Sequence, residues 1–111
     1  MGWNTLTELS QVQHILESSQ VKPQLFFKHS TRCSISTMAL SRFEKSGILD
    51  NQELDCWYLD LLDFRPISSE IEKQCHVTHQ SPQAIVLKNG EVIYHESHGM
   101  IDANDILKKL A

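Results

Sequence analysis

Leu25, Phe26, Phe27, Lys28, His29, Ser30, Thr31, Arg32, Cys33, Ser34, Ile35, Ser36 is the stretch on which the fold turns. It opens as a short apolar and aromatic run, read as a buried strand over Gln24 to His29. At Cys33 it hands over to a helical pattern that carries Met38, Leu40 and Phe43. A thiol at such a junction sits at a helix N-terminus, where unpaired amides and the macrodipole favour thiolate over thiol. Cys33 is therefore the candidate nucleophile. Its flanks, Thr31, Arg32, Ser34 and Ser36, are polar, which opposes an inert buried cysteine, and the Arg32 charge also favours the anion. Ser36 stands three residues on, where a dithiol oxidoreductase would carry a second cysteine. The resulting CxxS spacing can form a mixed disulfide but cannot resolve it within the motif. One turn from the sulfur, Ser36 is expected either to donate a hydrogen bond to the thiolate or to act as an ordinary first-turn serine.

Working outward, Thr5 and Glu8 have the spacing of a capping box, and Leu6, Leu9, Val12 and Leu16 trace an amphipathic helix to about residue 18. The helix after Cys33 is expected from Ser34 to Ser46, with Gly47 as its stop. Leu54 to Asp60 reads as a second strand. Pro66 suits the first turn of a helix carrying Ile67 and Ile71 and ending near Cys75. Gln83 to Lys88 and Glu91 to Glu96 read as two strands joined by Asn89 and Gly90, a strong hairpin signal. Asp102 is expected to cap a last helix bearing Ile106, Leu107 and Leu110. This order predicts an α/β fold, thioredoxin-like: a central four-stranded mixed sheet, strands at about 24–29, 54–60, 83–88 and 91–96, with helices on both faces. Cys33 then lies at the C-terminal edge of the parallel strands, where such sheets bind ligands.

Length and composition set outer bounds. With 111 residues, 41% of them hydrophobic, residues 1–111 are expected to form one domain around one ordinary core. A formal net charge of −4 gives no basic field for nucleic acid. Apolar runs are short and no export signal is visible, so a cytoplasmic protein without membrane partners is expected. Three cysteines, an odd number in that setting, argue for reduced thiols.

Lys28 to Ser36, read K-H-S-T-R-C-S-I-S, together with Ser81, Pro82, Gln83, Ala84, the Asn89-Gly90 hairpin and His98-Gly99, resembles the YtxJ-type monothiol bacilliredoxins over most of the chain. Members usually read T-C-P-I-S around the nucleophile, and here Ser34 stands in place of the proline. The resemblance implies a cis peptide before Pro82, facing the nucleophile, with the backbone of Ser81 pairing with an extended substrate segment. It also implies removal of bacillithiol, a low-molecular-weight glycoside thiol, from proteins that carry it as a mixed disulfide. On that reading Cys33 and Ser36 are the catalytic pair, and Thr31, Arg32, Ser34, Ile35, Ser81 and Pro82 contact substrate. Bacillithiol is the co-substrate thiol, no cofactor is tightly bound, and an external thiol reductant is required. Arg32, the helix amides and Lys28 are candidates to hold the small thiol's carboxylates.

The other reactive residue types have plainer readings. Cys56 lies roughly 13 Å from the active edge at the usual rise per residue. That exceeds the Cα separation of about 7 Å that a disulfide tolerates. Cys75, a few residues before Ser81, is a weaker candidate for a resolving thiol. His76 and His79, and His95 and His98, are read as solvated histidines rather than metal ligands, because no three ligands converge in sequence. His29, ending its strand beside Cys33, can assist the thiolate or simply pack at the edge. Trp57 and Phe64 are read as core or edge residues. A rival reading from another class is an iron-sulfur cluster carrier, since monothiol glutaredoxins share the CxxS spacing; their glycine and phenylalanine are absent here.

Overall fold

The structure is a computed structural model and describes residues 2–110. Five strands form one sheet, in the order β1-β3-β2-β4-β5. These are β1 (Asn4–Thr5), β2 (Gln24–His29), β3 (Asp55–Asp60), β4 (Gln83–Lys88) and β5 (Glu91–Ser97). β2 pairs in parallel with β3, from Gln24 opposite Asp55 to His29 opposite Asp60. It pairs antiparallel with β4 on its other side, and β4 pairs antiparallel with β5. The helices are α1 (Ser10–Ser18), α2 (Ser34–Lys45), α3 (Arg65–Cys75) and α4 (Ala103–Leu110).

Alternation along β2 sorts the core. Leu25 and Phe27 pack with Ala39 and Phe43 of α2 and Ile106 of α4. Phe26 points the other way, against Val12 and Ile15 of α1 and Ile67 and Ile71 of α3. All six residues of β2 are buried, as befits the central strand of a sheet covered on both faces. Trp3 joins the first core, stacked on Phe43 at 5.8 Å and donating from its indole nitrogen to the Glu44 carboxylate at 2.8 Å.

Most punctuation falls where the residues direct it. Asn89 and Gly90 both adopt positive φ, 54° and 78°, as a two-residue hairpin turn requires. A side chain at position 90 would also collide with Gln20, whose amide nitrogen stands 2.8 Å from the place a Cβ would occupy. Asp102 accepts the Asn104 amide at 2.8 Å and caps α4. Gly47, at φ 84°, follows the last turn of α2, which stops at Lys45 rather than Ser46.

The N-terminal expectation needs correcting. Thr5 and Glu8 form no capping box: Thr5 lies in β1, α1 starts only at Ser10, and its cap position Leu9 offers no side-chain acceptor. The Thr7 and Glu8 amides donate instead to the Gln11 side-chain oxygen, at 2.8 and 2.9 Å. The cause is tertiary. An otherwise open edge of β3 accepts Asn4 and Thr5 as a parallel strand, and the Leu6 amide donates to the Tyr58 carbonyl at 2.9 Å. Leu6 is thereby buried outside any helix, while Leu9 stays 51% exposed, and the sheet has five strands rather than four.

Candidate active site

Cys33 is the N-cap of α2, with extended backbone at φ −110° and ψ 120°. It is brought back over the end of β2 by its own amide, which donates to the Ser30 carbonyl at 3.1 Å. Its carbonyl accepts both the Thr37 amide, at 3.0 Å, and the Thr37 hydroxyl, at 3.1 Å. The thiol is partly exposed, whereas Cys56 and Cys75 are buried. Burial pushes the Cys56 thiol up to about 12 and the Cys75 thiol up to about 11, so both stay protonated at neutral pH. Exposure thus sets one sulfur apart from the other two.

The side chains around Cys33 divide by exposure. Thr31, Arg32, Ser34 and Ile35 face solvent. Ser36 does not: it is fully buried, and its hydroxyl oxygen accepts the Ser30 amide at 3.0 Å and meets His29 Nδ1 at 2.7 Å. The expected bond from Ser36 to the sulfur is therefore replaced, in this state, by a bond between strand end and helix start. His29 faces α2 because it lies two residues beyond Phe27 on the same side of β2. Its ring is buried and stands 5.8 Å from that of Tyr58. Burial depresses its titration below the ordinary imidazole range, against the opposing pull of Asp60 and Glu44.

Ser81 and Pro82 reach the site through register. Lys28 pairs with Gln83, so Pro82, the next residue, lies beside the end of β2 where the Cys33 loop begins. The Ser81-Pro82 peptide is cis, and the Pro82 carbonyl accepts the His98 amide at 3.0 Å. The Ser81 hydroxyl oxygen is buried without a hydrogen-bond partner among the described residues.

Two sequence readings fail at Lys28 and His79. Lys28 is fully buried on the α3 side of the sheet, so it cannot hold a ligand beside Cys33. His79 is not simply solvated: its Nδ1 accepts from Lys28 Nζ at 3.2 Å and lies 3.0 Å from the Ser68 hydroxyl. Alternation along β2 carried the signal for Lys28, because residues 26 and 28 must share a face. Nothing local marked His79. No group of three histidine, cysteine, aspartate or glutamate side chains that could hold a metal ion is found among the described residues. Nor is any described helix long and apolar enough to cross a membrane.

A thiol capping the helix after the first long strand, beside a cis-proline loop, belongs to the thioredoxin-fold thiol oxidoreductases. The Schistosoma mansoni thioredoxin superposes with a TM-score of 0.74 over 99% of this chain and 96% of its own, at 17% identity. Thioredoxin O2 from Arabidopsis thaliana, in its oxidised state, does so with a TM-score of 0.71 over 96% and 90%, at 15% identity. These share the fold. A structure described as a candidate oxidoreductase with a thioredoxin fold is more similar, with a TM-score of 0.82 and 31% identity over 96% of this chain and 92% of that one. Residues 4–106 match the family described as monothiol bacilliredoxin BrxC, and the chain belongs to that family.

Proposed function

We propose that this protein removes bacillithiol, or a similar low-molecular-weight thiol, from protein mixed disulfides, with Cys33 as its nucleophile. The observation that carries the reading is the contrast among the thiols: one partly exposed sulfur at a helix N-terminus and two buried ones. The Cys33 thiolate attacks the bacillithiol sulfur of the substrate's mixed disulfide. That bond breaks, the substrate leaves as a thiolate that takes a proton from water, and bacillithiol is now disulfide-bonded to Cys33. Since Ser36 has no thiol, an external thiol attacks this adduct, frees Cys33 and departs joined to bacillithiol. The reaction exchanges one disulfide for another and needs no tightly bound cofactor.

The surroundings support this division of roles. Thr31, Arg32 and Ser34 offer a positive charge and hydroxyls to the anionic small thiol at a helix N-terminus. Ile35 is 56% exposed and, with Met38 at 70%, presents an apolar rim to the substrate protein. Ser81 and Pro82 offer backbone to an extended substrate segment. A cytoplasmic setting, where such thiols are kept reduced, suits the chemistry.

Intact-mass analysis after incubation with oxidised bacillithiol, oxidised glutathione and oxidised coenzyme A tests the reading. The expected result is one bacillithiol adduct on Cys33, formed in preference to the other two. Equal labelling by all three would remove the assignment of the small thiol, and no adduct on Cys33 would remove the mechanism. Anaerobic reconstitution with iron, sulfide and thiol tests the cluster-carrier alternative, which requires visible absorption.

A further inference from the structure

We infer that His29 is a positioning residue that sets the direction of the Ser36 hydroxyl, and thereby decides whether its proton is available to the Cys33 sulfur. A serine hydroxyl has one hydrogen and two lone pairs. The Ser30 amide occupies one lone pair of Ser36, at 3.0 Å. His29 Nδ1, at 2.7 Å, makes the second contact, and its sense depends on the ring. When Nδ1 is bare, it accepts the Ser36 hydrogen and none is left for the sulfur. When Nδ1 carries a proton, it donates to Ser36, both lone pairs are filled, and the hydroxyl hydrogen must turn to another acceptor.

Cys33 is the helix cap and Ser36 the third residue of α2, a spacing from which a side chain can reach back across one turn to the cap residue. A thiolate there is the strongest acceptor within a turn, and a hydroxyl bond to an anion is stronger than one to a neutral group. One proton on His29 thus favours the thiolate, and by reciprocity the thiolate favours that proton. The ring is buried, 5% exposed, so bulk water does not short-circuit the exchange of partners. The groups that face it are the Asp60 carboxylate of β3, the Glu44 carboxylate of α2, the Tyr58 phenol and the backbone of Ser36. Burial raises the titration of Tyr58, which keeps it neutral across the range concerned. Burial opposes protonation of His29 more strongly than the two carboxylates and the Ser36 backbone bond favour it, so the exchange falls below the ordinary 6.5 of imidazole.

The inference rests on Cys33 being the nucleophile but not on the identity of the small thiol, and its test uses neither bacillithiol nor a substrate protein. Alkylation of the whole protein by iodoacetamide is followed between pH 5 and 8, with the product mapped to Cys33 by peptide mass. A thiol titrating alone loses reactivity about tenfold per pH unit below its pKa. The wild type is expected to fall less steeply, about three- to fivefold per unit, across the His29 titration. His29→Gln keeps a hydrogen-bonding side chain without titrating there, and Ser36→Ala removes the hydroxyl; both should restore the tenfold slope. Retention of the shallow limb in Ser36→Ala would overturn the inference, since the ring would then act on the sulfur without the hydroxyl. A wild-type profile that already follows one proton would overturn it too. Ser36→Ala alone decides the matter if His29→Gln does not fold. Normal alkylation of Cys33 without bacillithiol transfer would sink the proposed function and leave this inference standing.

Discussion

Lys28 Nζ donates to His79 Nδ1 at 3.2 Å from a position that no solvent reaches. A lysine ammonium on the central strand, on the sheet face opposite α2, is an energetic burden with a pH signature. Burial lowers Lys28 from 10.5 to about 8, although the Glu72 carboxylate pulls the other way. Below about 8 both folded and unfolded chains carry the proton, and the full cost of burying the charge is present. Between about 8 and 10.5 the unfolded chain holds a proton that the folded one has lost, so this group's contribution to stability rises with pH.

Lys28→Met, which keeps volume without charge, is therefore expected to stabilise the fold at pH 7 by up to about 3 kcal/mol. The gain should shrink towards zero by pH 10. Cys56 and Cys75, whose thiols are raised to about 12 and about 11, act in the opposite sense at high pH, so the quantity to measure is the difference from wild type in urea unfolding at each pH. A variant destabilised at pH 7 would show that the Lys28 bond to His79 outweighs the burial cost.

Labelling should separate the thiols cleanly. In native buffer near pH 8, iodoacetamide is expected to add one carbamidomethyl group, on Cys33, and in denaturant three, because Cys56 and Cys75 are both buried and protonated. Cys33→Ser should abolish bacillithiol release, while Cys56→Ser and Cys75→Ser leave the first attack nearly intact. Rapid native labelling of Cys75 would reopen it as a second thiol.

Ser36→Cys tests the motif. The side chain at position 36 is buried one turn from Cys33, so a thiol there should attack the Cys33 adduct and convert a single-thiol exchanger into a dithiol one. Mass spectrometry should show loss of two hydrogens in place of the small-thiol adduct. A folded variant that retains the adduct would mean that positions 33 and 36 do not approach each other.

Asp102→Ala should cost about 1 kcal/mol by removing the α4 cap, an ordinary value for such a cap. The bond lost is the one from the Asn104 amide, far along the chain from Cys33. Thermal unfolding should shift downward while alkylation of Cys33 keeps its rate. A changed rate with an unchanged midpoint would contradict the structural role.

Local patterns in the sequence account for most of the framework. The apolar run of β2, the Asn89-Gly90 turn, Pro66 at the start of α3, Gly47 after α2 and the Asp102 cap each act through their own backbone preferences, so each is legible without neighbours. The strand-to-helix junction placed Cys33 at a helix N-terminus for the same reason. Tertiary structure decided what depends on partners distant in the chain. Asn4 and Thr5 became a strand because β3 had an open edge, overriding a capping pattern that was locally sound. Ser36 turned to His29 and Ser30 because the end of β2 lies beneath the first turn of α2. Lys28 was withdrawn from the site and joined to His79 because alternation aims it at α3, and only packing shows what waits there. Residue preferences act over a few bonds, whereas burial and hydrogen-bond partnership are set by which elements meet; the placement of Cys33 at a helix N-terminus is a property of the first kind, and the partners of His29, Ser36 and Lys28 are of the second.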